Sequence, residues 1–234
     1  MAPKPEWILV DAGPEARVGR PPWAKPAPLE QAVERARVAL AGGAILVIPT
    51  ETFYGLAVLA THAAAVERLV GLKGREASKA MPLVAGSWEQ VRAIASIPPP
   101  LAPLAERFWP GPLTLALEPT VELPPGVLAH SGTVGVRVTS HPLAGAVARA
   151  AGVVTATSAN LAGRAPALKA TDLAPELSSR VDLVLDVGAC AGGAASTVVG
   201  VQGGRAALFR AGAVPTERLA EVLGYQPAAA IPDR

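Results

Sequence analysis

The sequence predicts an α/β domain in which a mixed sheet is covered by helices, and three observations lead there. Short apolar runs interleave with segments patterned as amphipathic helices. Near the end of the chain Gly203-Gly204 joins two further apolar segments as a tight antiparallel hairpin requires, which excludes a purely parallel sheet. Half of the 234 residues are hydrophobic and 17% are charged, which is enough for one sizeable core and too apolar for a disordered chain.

The elements follow in order. Residues 1–27 are a Pro-rich lead-in that blocks regular helix, with one short strand expected at Trp7 to Val10. Leu29, Val33, Ala36 and Leu40 recur at helical spacing until Gly42-Gly43 stops them. Ala44 to Ile48 is a continuous apolar run closed by Pro49, as in a strand buried on both faces. A helix from His62 to Leu72 leads into Lys73-Gly74-Arg75. Ser87 and Gln90 have capping-box spacing and open a helix to about Ala95, and Leu101 to Phe108 forms the next. Trp109-Pro110-Gly111-Pro112 must be a rigid turn. Strands are expected at Leu113 to Leu117, Val134 to Val138, Val153 to Thr157 and Leu183 to Val187, with helices at Pro142 to Ala151 and Leu173 to Ser179. The hairpin Thr197 to Arg210 and a helix at Pro215 to Leu223 close the domain, and residues 221–234 run into an Ala/Pro tail.

Composition narrows the chemistry. A net charge of +2 without basic runs argues against nucleic-acid tracking, so any anion site must be local. Cys190 is the one cysteine and the three histidines lack metal-ligand spacing, which leaves the metal ligands undefined and makes a reducing cytoplasm the expected address. No stretch reaches the ~18 apolar residues of a membrane helix, and no membrane association is expected. Phosphate-loop, nucleophile-elbow and zinc-protease signatures are missing.

What remains is a set of cations and small polar side chains at strand ends, where α/β sheets bind ligands. Lys is scarce, yet two of the five fall within Lys73 to Lys79 together with Arg75, as in an anion clamp; solvated complements to a helix C-terminus are the plainer explanation. Arg137 lies inside the apolar strand Val134 to Val138, so it needs either an acidic partner or a bound anion. Arg210 poses the same question more weakly. Thr50 and Thr52 share one side of a strand exit, and Ser158 and Asn160 end another; both pairs suit a ligand or a turn. Ser196-Thr197 follows a glycine-led turn and is equally ambiguous.

Taken together, Pro49-Thr50-Glu51-Thr52-Phe53-Tyr54-Gly55-Leu56, Lys73-Gly74-Arg75, Trp109 to Thr114, Gly135-Val136-Arg137, Ser158-Ala159-Asn160 and Ser196 to Val199 resemble the YrdC-like threonylcarbamoyl-adenylate synthases, in order, over residues 28–220. The resemblance implies a single α/β catalytic domain, a twisted mixed β-sheet flanked by helices around a central positively lined cavity. It implies synthesis of threonylcarbamoyl-AMP and pyrophosphate from L-threonine, bicarbonate and ATP with Mg2+ on the triphosphate, for a tRNA threonylcarbamoyl transferase complex that modifies adenosine in tRNA.

It also assigns roles. Lys73 and Arg75 act on the phosphates and carbamate; Thr52, Arg137 and Ser158, with Thr50 and Tyr54, take threonine; Asn160, Ser158, Ser196, Arg210 and Thr133 take ATP. Glu76 stands where the family has Pro, and Gly86 where many members have His. Residues Glu76 to Met81 are expected to act as a lid. Two other readings share the fold: an RNA-binding or ribosome-associated module, and a carbamoyl-adenylate-forming enzyme.

Overall fold

A computed structural model describes residues 4–10, 21–74, 80–161 and 163–230. The α/β architecture stands, but the strands divide between two mixed sheets rather than one. The first holds, in spatial order, β10 (Thr157–Ser158), β4 (Gly55–Ala57), β3 (Leu46–Ile48), β11 (Leu183–Asp186), β1 (Glu6–Val10) and β2 (Lys25–Ala27). The second holds β14 (Ala228–Ala229), β13 (Arg205–Arg210), β12 (Thr197–Gln202), β7 (Leu113–Pro119), β8 (Val134–Val138), β5 (Leu83–Ala85) and β9 (Val154–Thr155), with β6 (Ala95–Ser96) paired to β7.

The apolar runs explain the layering. In β1, Ile8 and Val10 face one core and Trp7 and Leu9 the other; in β3, Leu46 and Ile48 oppose Val47. The first sheet is therefore buried on both faces, as its uninterrupted hydrophobic strands require. One face packs under α1 (Leu29–Ala41) and α5 (Pro142–Ala151) through Ala32, Ala36, Leu40, Leu143 and Val147. The other face joins a larger core shared with the second sheet, α2 (Ala63–Lys73), α3 (Trp88–Ile94), α4 (Ala102–Phe108) and α7 (Thr216–Leu223).

Several expectations change in detail. The strand read at Val153 to Thr157 breaks into two: β9 pairs β5 in the second sheet, and β10 pairs β4 in the first. Ala156 is the joint, and its N–H donates to the Pro82 carbonyl instead of to a sheet neighbour. An apolar run shows that a segment is buried but not which sheet it joins, so the crossing had no pattern of its own. Pro26 occupies β2, an edge strand, where its missing N–H does no harm. The helix read at Leu173 to Ser179 is shorter: a 3-10 turn at Ala170–Asp172 precedes α6 (Pro175–Ser178), which starts on the preset φ of Pro175. Ser87 caps α3 through the Gln90 N–H, but the Gln90 side chain accepts from Gly86 N at 2.7 Å rather than from Ser87.

Candidate active site

The loop after β3, the end of β8, β10, the residue before β12 and the end of β13 converge on one cleft. Thr50, Thr52, Arg137, Ser158, Ser196 and Arg210 line it, around about 700 Å3 of empty space that is partly open to solvent.

The loop after β3 is a hydroxyl-stabilised turn. Thr50 Oγ1 donates to the Phe53 carbonyl at 2.7 Å and accepts from the Thr52 and Phe53 N–H groups. Thr52 Oγ1 lies 3.2 Å from Thr50 Oγ1, so both hydroxyls face one side as the two-residue spacing predicts. Thr50 is thereby committed to the turn, whereas Thr50 Oγ1 is the one hydrogen-bond partner of the Thr52 hydroxyl among the described residues. Tyr54 contributes to the wall but sends its hydroxyl into the core, donating to Gly188 O at 2.8 Å and accepting from Val187 N at 3.1 Å. Burial, reinforced by the Asp186 carboxylate, pushes its phenol well above the ordinary range, so it stays neutral.

Arg137 has the acidic partner its position demanded. Its Nε donates to Glu51 Oε1 at 2.8 Å, with side chains only 5% and 11% exposed. The second Glu51 oxygen accepts from the Thr139 hydroxyl, and that hydroxyl in turn accepts from His141 N at 3.1 Å. Burial alone would raise the Glu51 carboxyl; the Arg137 charge, the Thr139 hydroxyl and a backbone amide outweigh it and hold the carboxyl below its ordinary value. His141 Nδ1 caps α5 through Ala144 N, and burial lowers its imidazole against the pull of Glu51.

Lys73 ends α2, where Gly74 turns the chain away at φ 56°. It is not a solvated complement to the helix. At 4% exposure its ammonium donates to the Ser158 carbonyl at 2.8 Å, to Asn160 Oδ1 at 3.0 Å and to the Asn160 carbonyl. Asn160 also accepts from the Ser158 hydroxyl and donates to the Arg164 carbonyl. One scarce lysine thus fixes the turn after β10, on which Ser158 meets the cleft. Arg75 lies outside the described residues, as does most of the expected lid at Glu76 to Met81; of that segment Ala80 lines the cleft.

On the opposite wall Arg210 Nη2 donates to Ser196 O at 2.8 Å and to Ser196 Oγ at 3.1 Å, and Ser196 Oγ meets Thr114 Oγ1 at 2.8 Å. The Trp109 to Pro112 turn holds this wall: Gly111 N donates to Val138 O and Thr197 N to Pro112 O.

One expectation is not met in this cleft. Thr133 does not line this cleft; it precedes β8, four residues and about 13 Å of extended chain from Arg137, bonds Ser131 at 2.9 Å and lines a separate pocket with Ser96 and Glu118. At Gly86 a Cβ would come within 2.5 Å of the Gly145 carbonyl and 2.8 Å of Arg149 N, so α5 occupies the space a side chain would need. Glu51, Thr139 and Thr114 were missed as members of the site. The one signal for Glu51 was a carboxylate at a strand exit while a buried arginine lacked a partner.

Among the described residues no three His, Cys, Asp or Glu side chains gather to hold a metal ion, so no protein cage for Mg2+ is built from them. No helix of the described residues is long and apolar enough to cross a membrane.

Known proteins resemble this chain in sequence and shape. The Sua5/YciO/YrdC family model, described as "Telomere recombination", matches residues 38–212. A putative threonylcarbamoyl-AMP synthase of Mycobacterium tuberculosis is 34% identical over 191 residues, covering 81% of this chain and 88% of that protein. The threonylcarbamoyl-AMP synthase of Pyrococcus abyssi is 33% identical over 184 residues, 78% of this chain and 54% of its own length. The crystal structure of P. abyssi Sua5 complexed with L-threonine superposes with a TM-score of 0.77 at 31% identity, over 84% of this chain and 59% of that one. With the family model spanning most of the domain, the chain belongs to the Sua5/YciO/YrdC family.

Proposed function

We propose that this chain makes threonylcarbamoyl-AMP and pyrophosphate from L-threonine, bicarbonate and ATP. The observation that carries the proposal is the convergence on one cleft of a buried arginine, an exposed arginine and the hydroxyls of Thr52, Ser158 and Ser196, with no cysteine or histidine among the described residues that line it. Curated relatives at 33–34% identity carry the name of that activity.

The chemistry needs no covalent help from the protein. The threonine ammonium first gives up a proton, and the free amine then adds to the bicarbonate carbon with loss of water, giving a carbamate. A carbamate oxygen then bonds the α-phosphorus of ATP as the bond to the β-phosphate oxygen breaks and pyrophosphate leaves. Such a step asks for alignment and for fixed charges where negative charge builds.

In this reading Arg137 grips the amino-acid carboxylate through its terminal amino groups, and Thr52 meets the same substrate. Ser158 and Asn160, held by Lys73, separate the threonine and ATP sites. Ser196 and Arg210 take the nucleotide, and Lys73 with Arg75 offsets charge on the phosphates and carbamate. Mg2+ enters as the counter-ion of ATP, hence as part of the substrate. The mixed anhydride is prone to hydrolysis, so its consumer, a tRNA threonylcarbamoyl transferase complex, receives it in the cytoplasm where both work.

The test is pyrophosphate release from ATP, bicarbonate and L-threonine. Release that depends on all three, and that falls at least about 100-fold in Lys73→Ala, is expected. No release above that variant sinks the proposal. Serine and carbamoyl phosphate as replacement substrates separate it from carbamoyl-adenylate formation.

A further inference from the structure

We infer that Glu51 is a positioning residue for the amino-acid substrate, holding one edge of Arg137 so that the guanidinium presents its two terminal amino groups to the cleft. The inference rests on the function proposed above and deepens it.

A guanidinium has five N–H donors. The geometry uses one of them: Arg137 meets Glu51 through Nε alone, at 2.8 Å. Among the described residues no group hydrogen bonds to either terminal nitrogen, and Arg137 lines the cleft. A carboxylate that needed only to neutralise a buried arginine would gain more from a two-point fork. Here the second oxygen of Glu51 is turned instead to the Thr139 hydroxyl, which is itself anchored by His141 N. The carboxylate is thus fixed at both oxygens by residues on either side of the end of β8.

The consequence is a preorganised fork. Arg137 has three carbon–carbon torsions and would otherwise collapse onto the carbonyls around the cleft. Held by Nε, it leaves two parallel N–H donors in one plane, the geometry that a planar carboxylate matches. Glu51 also cancels most of the net charge, so the pair should select its ligand by shape more than by charge. This suits a cleft that must bind an α-carboxylate beside a triphosphate without letting phosphates occupy the amino-acid position.

The experiment is calorimetric titration of L-threonine, and separately of ATP, into the full chain and into Glu51→Gln, with the threonine KM read from pyrophosphate release. Glu51→Gln should weaken threonine binding about tenfold, since a misplaced positioning group costs one to two orders of magnitude, with ATP affinity changed less than about twofold. In an Arg137→Lys background the same substitution should add little. Thr139→Val keeps the charge and frees one carboxylate oxygen; a roughly threefold loss confined to threonine is expected, and this variant carries the test if Glu51→Gln does not fold. Equal losses for threonine and ATP, or unchanged threonine affinity in both variants, would overturn the inference while leaving pyrophosphate synthesis standing. Failure of the wild-type chain to bind threonine would sink both.

Discussion

The two arginine walls of the cleft solve one problem in opposite ways. Arg137 is buried in a strand, and its charge is tolerable only because Glu51 sits against it, itself tied to Thr139. Arg210 is exposed at the end of β13, where water screens its charge, and it donates to the Ser196 carbonyl and hydroxyl. A buried cation is thus part of the fold before it is part of a binding site, whereas a surface cation can be spent on a ligand at little structural risk.

The comparison is broken most severely by removing each arginine in turn. Arg137→Ala strands the Glu51 carboxylate in the interior and should cost about 3–5 kcal/mol in urea denaturation; Arg210→Ala should cost no more than about 1 kcal/mol. Equal losses would mean that the two walls are not different in kind.

A second measurement asks whether the walls serve different ligands. Arg210→Ala should raise the KM for ATP about tenfold while leaving that for threonine within about twofold, as expected when one charge-assisted contact to a phosphate is lost. A shift in the threonine KM instead would reverse the assignment of the two sides.

The smallest effect is in the pH dependence of stability. The His141 imidazole lies below its ordinary value in the folded chain because burial disfavours its charged form. The unfolded chain therefore binds a proton first on acidification. The stabilisation is complete above about pH 6.5 and is lost as pH falls through the lower folded value. Glu51 behaves likewise further down: its lowered carboxyl favours the folded state above its unfolded value near 4.5, and that contribution is lost as pH falls through the folded value. His141→Asn retains a helix-capping side chain, and in thermal melts across about pH 3–7 it should flatten the upper slope while the Glu51 slope at the acid end persists; an unchanged upper slope would remove His141 from the account.

These walls were unequally legible in the sequence. A charge amid small apolar residues marked Arg137, and the scarcity of lysine drew notice to Lys73. Their partners were not legible. Glu51 is 86 residues from Arg137, and nothing in either local pattern joins them. Lys73 reads like any basic residue at a helix end until the turn at Ser158 to Asn160 folds over it, 85 to 87 residues later in the chain. Thr133 entered through the family resemblance alone; it precedes β8, at the opposite end of the strand from Arg137, and so lies away from the cleft. Tyr54 sits in a motif with two site threonines, yet its size and ring place it in the core. The strands at Gly55–Ala57 and Leu83–Ala85 were too short to be distinguished from turns.

The break at Ala156 has a mechanical consequence. On one side of it β9 is stitched into one sheet, and on the other side β10 is stitched into its neighbour, with Thr155 Oγ1 bridging to Leu56 O and Val58 N across the joint. Prising the layers apart would rip a seam rather than open a book. Ala156, Thr157 and Ser158 line the cleft beside this seam, so its floor is tied to both sheets at once.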